Sequence, residues 1–211
     1  GVNQLLIFSS PCIRTLPMHL NHSEKLVDMR SNARAIFEAA LAAVGAESAI
    51  ANTCRVDRGR LIVNGHGYDL NAYERIYVVG GGKASAFMAA GVEKLIGDRI
   101  TSGIISVKYG HSCHLESIAV LEAGHPVPDE NGLRSAEKIL DLAVSAGQRD
   151  LMICLLSGGG SALLSLPAPG ISLSEKQETI RRLMACGAPI HEINTIRKHL
   201  SAIKGGQLAK A

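Results

Sequence analysis

The chain has 211 residues, of which 46 % are hydrophobic and 3 % aromatic, and its formal net charge is +3. This length suffices for one domain with a proper core. The positive charges are dispersed rather than interleaved with aromatic residues, which argues against nucleic-acid binding, and no apolar run approaches a membrane span. A core of Ala, Leu, Ile and Val favours α/β layers.

The cysteines indicate a reducing compartment. They lie far apart and form no C-x-x-C pair, which argues against a disulfide framework or a zinc ribbon and predicts a cytoplasmic protein. These residues are Cys12, Cys54, Cys113, Cys154 and Cys186.

The two ends of the chain differ from its middle. Residues 1–23 contain no acidic residue and no helical or strand period, and we interpret them as an unstructured or upstream extension, with translation starting at Met18. An organellar transit peptide is the alternative. Residues 24–211 form the predicted α/β domain, and Ala211 interrupts a helix-like segment, so we expect a piece of a longer protein.

The first elements alternate in type along the chain. Apolar spacing predicts a helix over 31–44, with Gly45 as its C-cap. Asn64-Gly65-His66-Gly67 between two short apolar runs predicts a hairpin at a sheet edge. A buried strand over 76–79, a turn over 80–82 and a helix over 84–96 follow.

The second half continues the alternation. Strands are expected over 103–107, 118–121 and 151–156, with the last one central in the sheet, and a helix over 133–146. A further helix opens at Ser174 with Gln177 as a possible capping-box partner, breaks at Gly187-Ala188-Pro189 and resumes over 195–200. The pattern predicts a three-layer αβα sandwich around a mostly parallel, Rossmann-like sheet.

Two glycine-rich turns carry the strongest functional signal. Gly80-Gly81-Gly82 precedes Lys83, and Ser157-Gly158-Gly159-Gly160-Ser161 follows the apolar strand over 151–156. Such turns let an anion approach backbone N–H groups, and both are expected at the carboxyl edge of the sheet. The alternatives are a tight turn with a solvent-facing lysine and a serine nucleophile, although G-x-S-x-G is not met.

Two other segments gather polar side chains. His125 and Asp129 lie in a proline-stiffened loop over 124–132, where ordinary surface charge is the alternative. Asn194 and Arg197 would share a helix face with Ser201, with Lys198 at the edge of that face. This face is either an ordinary solvated surface or a clamp in which Arg197 binds a phosphate or carboxylate. His111 and His114 lack a third ligand nearby, so no metal site is assigned.

Taken together, these segments resemble the type-2 glycerate kinases. The resembling stretches are Val78 to Ala84, Gly124 to Asp129, Leu156 to Leu164 and Asn194 to Gly206, in that order. They cover most of the chain from about Ser31 onward, whereas about seventeen N-terminal residues find no counterpart. The family also has a second, C-terminal domain that is missing here.

The resemblance implies ATP- and Mg²⁺-dependent phosphorylation of D-glycerate at its 2-hydroxyl, giving 2-phosphoglycerate, in a cleft between two α/β domains. Lys83 corresponds to the family lysine and is the expected catalytic residue. The chain has no obvious carboxylate cluster for Mg²⁺ or for activating the hydroxyl, and Asp129 and Glu130 are the only local candidates. A homodimer is a further expectation. The expected substrate- or phosphate-binding residues are Gly81, Gly82, Ser157, Gly158, Gly159, Gly160, Ser161, His125, Asp129, Asn194, Arg197 and Lys198.

Two other classes of protein stay open. A non-catalytic sugar-phosphate-binding module would use the same anion turns without ATP. An NAD-dependent reductase or dehydrogenase is disfavoured, because neither turn has the G-x-G-x-x-G spacing or a clear ribose-binding acid after it.

Overall fold

The computed structural model describes residues 22–211, so the predicted extension over 1–23 lies almost wholly outside the described residues. The chain divides into two compact units, up to Ala42 and from Ala43 onward. Helix α1 (His22–Ala43) accounts for the described part of the first unit. It begins nine residues before the predicted helix over 31–44, and its apolar side chains, such as Ile36 and Phe37, are exposed.

The second unit begins with a helix and a small antiparallel sheet. Gly45 has a φ of −56° and is the residue before α2 (Ala46–Thr53), so it is not the left-handed C-cap that the sequence predicted. Strands β1 (Cys54–Asp57), β2 (Arg60–Val63) and β3 (His66–Asp69) pair in that order. The predicted hairpin is therefore confirmed, but it pairs with β1 instead of joining the edge of the main sheet.

The main sheet has four parallel strands, namely β4 (Arg75–Gly81), β5 (Ser102–Lys108), β6 (Ile118–Ala123) and β7 (Asp150–Leu156). Their order is β6-β5-β4-β7. The four predicted strands are confirmed, but β7 is an edge strand among the described residues, not the central one. Its apolar run suggested burial on both sides, yet Cys154 and Leu156 are exposed.

Five helices complete the unit: α3 (Ser85–Ile96), α4 (Glu130–Ser145), α5 (Gly160–Leu163), α6 (Leu173–Ala185) and α7 (Ile190–His199). One apolar cluster joins β4, β5 and β7 to α2, α3 and the small sheet, and includes Ile76, Val78 and Ala89. A second cluster on the opposite face joins Val79 to Ile139 of α4. Helices on both faces of a parallel sheet confirm the predicted α/β class.

The helix termini explain where the predicted boundaries shift. The side chain of Asp129 accepts the N–H of Gly132 at 2.9 Å, so α4 begins three residues earlier than expected. The capping box at the start of α6 is formed by Ser172 and Glu175, not by Ser174 and Gln177. Glu175 is the better partner because its carboxylate accepts both the N–H and the hydroxyl of Ser172.

The helix break over 187–189 is confirmed, because α6 ends at Ala185 and α7 starts at Ile190. Ser201 lies beyond α7, in a bridge with Pro167, so it is not on the helix face that the sequence suggested. In residues 22–211 no single helix is long and apolar enough to cross a membrane; only the helix at 25–43 together with that at 46–53 meets the length and composition required.

We expect an ion pair at the start of the main sheet to make stability depend on pH. Arg75 donates two hydrogen bonds to Asp150, at 3.0 and 2.7 Å, and hydrogen bonding with Arg75 lowers the pKa of that carboxyl. A depressed pKa contributes stability above the unfolded value, which is lost as pH falls through the folded value. Asp150→Asn should therefore lower the free energy of unfolding at pH 7, and the difference from wild type should shrink towards pH 3.

The matched control is Asp141→Asn, because Asp141 is an exposed carboxylate on α4. Urea unfolding at several pH values measures both variants. Equal effects of the two substitutions at pH 7 would contradict the assigned role of the Arg75–Asp150 pair.

Candidate functional site

The two glycine turns lie side by side at the carboxyl edge of the main sheet, as the sequence predicted. Gly80 and Gly81 belong to β4, so the first turn begins at Gly82 and not at Gly80 as predicted. The parallel pairing of β4 with β7 sets Gly81 opposite Leu156, the last residue before each turn. Two backbone hydrogen bonds then cross between them, from Ser157 N–H to the Gly81 carbonyl at 3.3 Å and from Lys83 N–H to the Gly158 carbonyl at 2.8 Å. The turns therefore form one continuous surface.

Ser157 ties the second turn to the start of α3. Its hydroxyl accepts the N–H of Ala84 at 3.1 Å and lies 2.9 Å from the hydroxyl of Ser85. A Cβ atom at Gly82 would lie 2.1 Å from the Ser157 Oγ, so only glycine fits there. The Ser157 side chain is thus engaged within the protein, and its contribution to binding is to hold the turn in place.

The middle of the second turn offers backbone donors. Within the part of the chain that the structure describes, the N–H groups of Gly158 and Gly159 donate no hydrogen bond. Gly159 has a φ of +92°, in the left-handed region that favours glycine. Unpaired N–H groups in such a turn attract anions, which agrees with the expected phosphate cradle.

Lys83 and His125 both lie next to Gly159. A Cβ atom at Gly159 would lie 3.0 Å from the His125 ring and 3.4 Å from the Lys83 Cγ. Burial lowers the pKa of His125, and the positive charges of Lys83, Lys108 and His111 lower it further. The electrostatic potential at this turn is therefore positive, so an anion would be attracted and the neutral form of His125 is favoured.

Asp129 has a positioning role. Besides the bond from Gly132, its carboxylate accepts the hydroxyl of Tyr109 at 2.8 Å, and Asn131 donates to that hydroxyl at 2.8 Å. Burial raises the pKa of Asp129, but hydrogen bonds from the N–H groups of Gly124 and Gly132 and from the Tyr109 hydroxyl together lower it by more. The net shift of the pKa is therefore downwards. The carboxylate fixes the loop that carries His125.

No metal site is present among the described residues, because no three His, Cys, Asp or Glu side chains are grouped where they could hold an ion. Magnesium prefers carboxylate and other oxygen ligands. The oxygens of Asp129 already accept hydrogen bonds, and the neighbouring groups are cations. This part of the chain, including the candidate Asp129, does not fit a Mg²⁺ ion.

A cavity of about 300 Å³ opens next to the second turn, between α6, α7 and the loop that carries His125. It brings together five residues that the sequence proposed for binding, which are Gly159, Ser161, His125, Asn194 and Arg197. Lys198 does not line this cavity but lines a neighbouring one of about 920 Å³ along the exposed face of β7. The two cavities share part of their lining, namely Gly159, Ser161, Asn194, Arg197 and Lys204.

The small cavity also contains two lysines to which the sequence assigned no binding role. Lys176 on α6 is 3 % exposed, and Lys204 follows α7. Burial lowers the pKa of Lys176 to about 8 and that of Lys204 to about 7, and nearby cations add to both shifts. The one available indication was spacing, since Lys176 lies between Leu173 and Ile180 at positions where an amphipathic helix places apolar residues.

The fold and this edge define an α/β protein whose main sheet ends in a glycine-rich edge surrounded by cations. Residues 32–211 match the family described as a domain of unknown function, DUF4147, and the chain belongs to that family.

Relatives of the chain carry two kinds of name. It is 39 % identical over 184 residues to the glycerate 2-kinase of Pyrococcus horikoshii, covering 87 % of this chain and 41 % of that protein. It is 44 % identical over 186 residues to an Agrobacterium vitis protein with the provisional name hydroxypyruvate reductase, covering 88 % and 39 %. The chain thus spans about two fifths of the length of these relatives.

Solved structures agree with the fold. A crystal structure of a Pyrococcus horikoshii OT3 protein matches with a TM-score of 0.77 at 38 % identity, covering 86 % of this chain and 41 % of that one. A glycerate kinase from Thermotoga maritima matches with a TM-score of 0.72 at 35 % identity, covering 87 % and 41 %.

We expect Gly159→Ala to weaken ATP binding as well as to lower the free energy of unfolding. The positive φ alone should cost about 1–2 kcal/mol of unfolding free energy, and the His125 ring must also move. Gly65→Ala is the matched control, because Gly65 has a φ of +86° with no atom near its missing Cβ. Calorimetric titration of the full-length protein with ATP should show weaker binding for Gly159→Ala only. Equal ATP affinity in both variants would contradict the cradle.

Proposed function

We propose that the full-length protein phosphorylates D-glycerate at its 2-hydroxyl with ATP and releases 2-phosphoglycerate and ADP. The observation that carries the proposal is the pairing of two glycine turns at one sheet edge, surrounded by Lys83, His125 and Arg197. The relatives named glycerate kinase support it. Both substrates are anions, which such an edge would hold.

The residues of this chain suit phosphoryl transfer, because that reaction depends on positioning and charge neutralisation more than on covalent help. The free N–H groups of Gly158 and Gly159 would hold phosphate oxygens. Lys83 runs along the same turn, with its Cε 3.9 Å from the Cβ position of Gly158, where its ammonium would stabilise negative charge during transfer. The neutral His125 ring is suited to accept the proton that leaves the 2-hydroxyl.

A hydroxypyruvate reductase is the second candidate, because the relative from Agrobacterium vitis carries that provisional name. The spacing of the glycine turns disfavours it, since a dinucleotide fingerprint needs G-x-G-x-x-G. Purified full-length protein should transfer labelled γ-phosphate from ATP to D-glycerate. Oxidation of NADH or NADPH with hydroxypyruvate, without phosphate transfer, would favour the reductase. Phosphate binding without either reaction would favour a sugar-phosphate-binding module.

Three further expectations belong to this proposal. A cytoplasmic location is supported by the free thiols of Cys54, Cys113, Cys154 and Cys186. A homodimer remains a prediction, to be measured by light scattering of the full-length protein. A Mg²⁺ requirement follows from the proposed use of ATP, although no role for the ion is assigned to this chain.

We expect Lys83→Ala to lower kcat of the full-length enzyme by about 10²–10³, the usual loss when a preorganised group stabilising the transition state is removed. The melting temperature should stay nearly unchanged, because the Lys83 side chain is exposed. Lys138→Ala is the control, since Lys138 is an exposed lysine on α4. Near-normal turnover of Lys83→Ala would contradict the catalytic role and would show that Lys83 is an ordinary surface lysine.

We also expect the 211-residue chain alone to show no glycerate kinase activity. It spans about two fifths of the relatives named glycerate kinase, and a cleft enzyme needs both walls to exclude water. Parallel assays of this chain and of the full-length protein, with circular dichroism to confirm folding, measure the difference. Comparable turnover would show that the whole active site lies within these residues.

A further inference from the structure

The small cavity beside the second glycine turn has a cationic wall. Lys176, Arg197 and Lys204 all line it, and none of the described residues around it is Asp or Glu. The charges act on one another, because Arg197 lowers the pKa of both lysines and Lys176 lowers that of Lys204. Buried like charges without a counterion are costly, so this arrangement calls for an anion.

Both lysines reach the same stretch of backbone. The Lys176 ammonium donates to the Leu166 carbonyl at 3.1 Å, and the Lys204 ammonium donates to the Leu164 carbonyl. An ammonium has three donors, so each lysine keeps capacity for another acceptor. The two groups flank Ser165, the residue between those carbonyls.

Ser165 supplies an independent observation. Its side chain is fully buried and lines the cavity, yet its hydroxyl has no hydrogen-bond partner in the described structure. Buried hydroxyls are nearly always paired, and an unpaired one needs an explanation. A ligand oxygen between Lys176 and Lys204 would provide the missing partner.

We infer that this cavity binds the small hydroxy acid itself, with its carboxylate held by Lys176, Arg197 and Lys204 and with a hydrogen bond to Ser165. The neighbouring glycine turn then holds the transferring phosphate, and the two sites meet at Gly159 and Ser161. A volume of about 300 Å³ suits a compact acid and is at the lower end for small-ligand sites. The identity of the acid rests on the proposed function, whereas the anion site does not.

A purely structural role is the competing explanation. In that case the lysines serve only to satisfy the carbonyls of Leu164 and Leu166, and Ser165 is a tolerated defect. The two explanations differ for Ser165→Ala. Under both explanations, removal of this unpaired buried hydroxyl should leave the free energy of unfolding unchanged or increase it. Only the ligand-site explanation predicts weaker binding of D-glycerate.

The experiment is calorimetric titration of the full-length protein with D-glycerate, inorganic phosphate and ADP as separate probes. Lys176→Met and Lys204→Met should each raise the Kd for D-glycerate by about tenfold to a hundredfold, the loss expected for a charged hydrogen bond. Ser165→Ala should raise it by about two- to tenfold. Lys138→Met is the matched control and should change nothing, and none of the variants should alter the Kd for ADP.

Proton uptake gives a second readout. The titratable or charged groups that face the cavity are Lys176 on α6, Arg197 on α7, Lys204 beyond it and His125 on its loop. A bound anion favours the charged lysines, so D-glycerate binding near pH 8 should take up protons. Titrations in buffers of different ionisation enthalpy should show this uptake in wild type and a smaller one in Lys204→Met.

Unchanged D-glycerate affinity in folded Lys204→Met and Ser165→Ala would overturn the inference. So would an equal loss of ADP affinity, which would make the cavity part of the nucleotide site. Lysine-dependent binding of phosphate without kinase activity would refute the proposed function and leave the anion site standing. Kinase activity together with unchanged D-glycerate binding in the variants would support the proposed function and refute the anion site in this cavity.

Discussion

The close contact between the two glycine turns is the constraint on which the site depends. A Cβ atom would lie 2.0 Å from the Leu155 carbonyl at Gly80, 2.1 Å from the Ser157 hydroxyl at Gly82 and 2.7 Å from the Gly81 carbonyl at Gly160. A side chain at any of these three glycine positions would push the ends of β4 and β7 apart. The glycines therefore serve the packing of two strand ends first, and the exposed backbone donors of the second turn follow from that packing.

The site contains two physically different ways of attracting negative charge. At the turn, backbone N–H groups and the exposed Lys83 lie near water, where the proposed phosphate binding would carry no large desolvation cost. In the cavity, Lys176 is almost completely buried, and burial disfavours its charged form, which a bound anion would stabilise. The first arrangement suits a large, strongly charged nucleotide, and the second a small acid that can be enclosed.

The same distribution of charge limits what this chain can do in catalysis. Cations dominate both parts of the site, and Asp129 holds a loop instead of facing the cavity. Phosphoryl transfer from ATP ordinarily needs a metal ion held by oxygen ligands, and the described residues group none. The relative named glycerate 2-kinase is more than twice as long as this chain.

The sequence by itself determined the parallel sheet, its four strands and the place of both glycine turns, because apolar runs and glycine positions are local properties. It also selected Arg197 and His125, which the structure brings to one cavity. Only the tertiary structure decided that β7 is an edge strand and that Lys176 and Ser165 face that cavity. Burial arises from contacts between segments remote in sequence. From the sequence alone, Lys176 in the polar helix α6 is therefore expected to face solvent, and only the packing of α6 near Leu166 and α7 buries it.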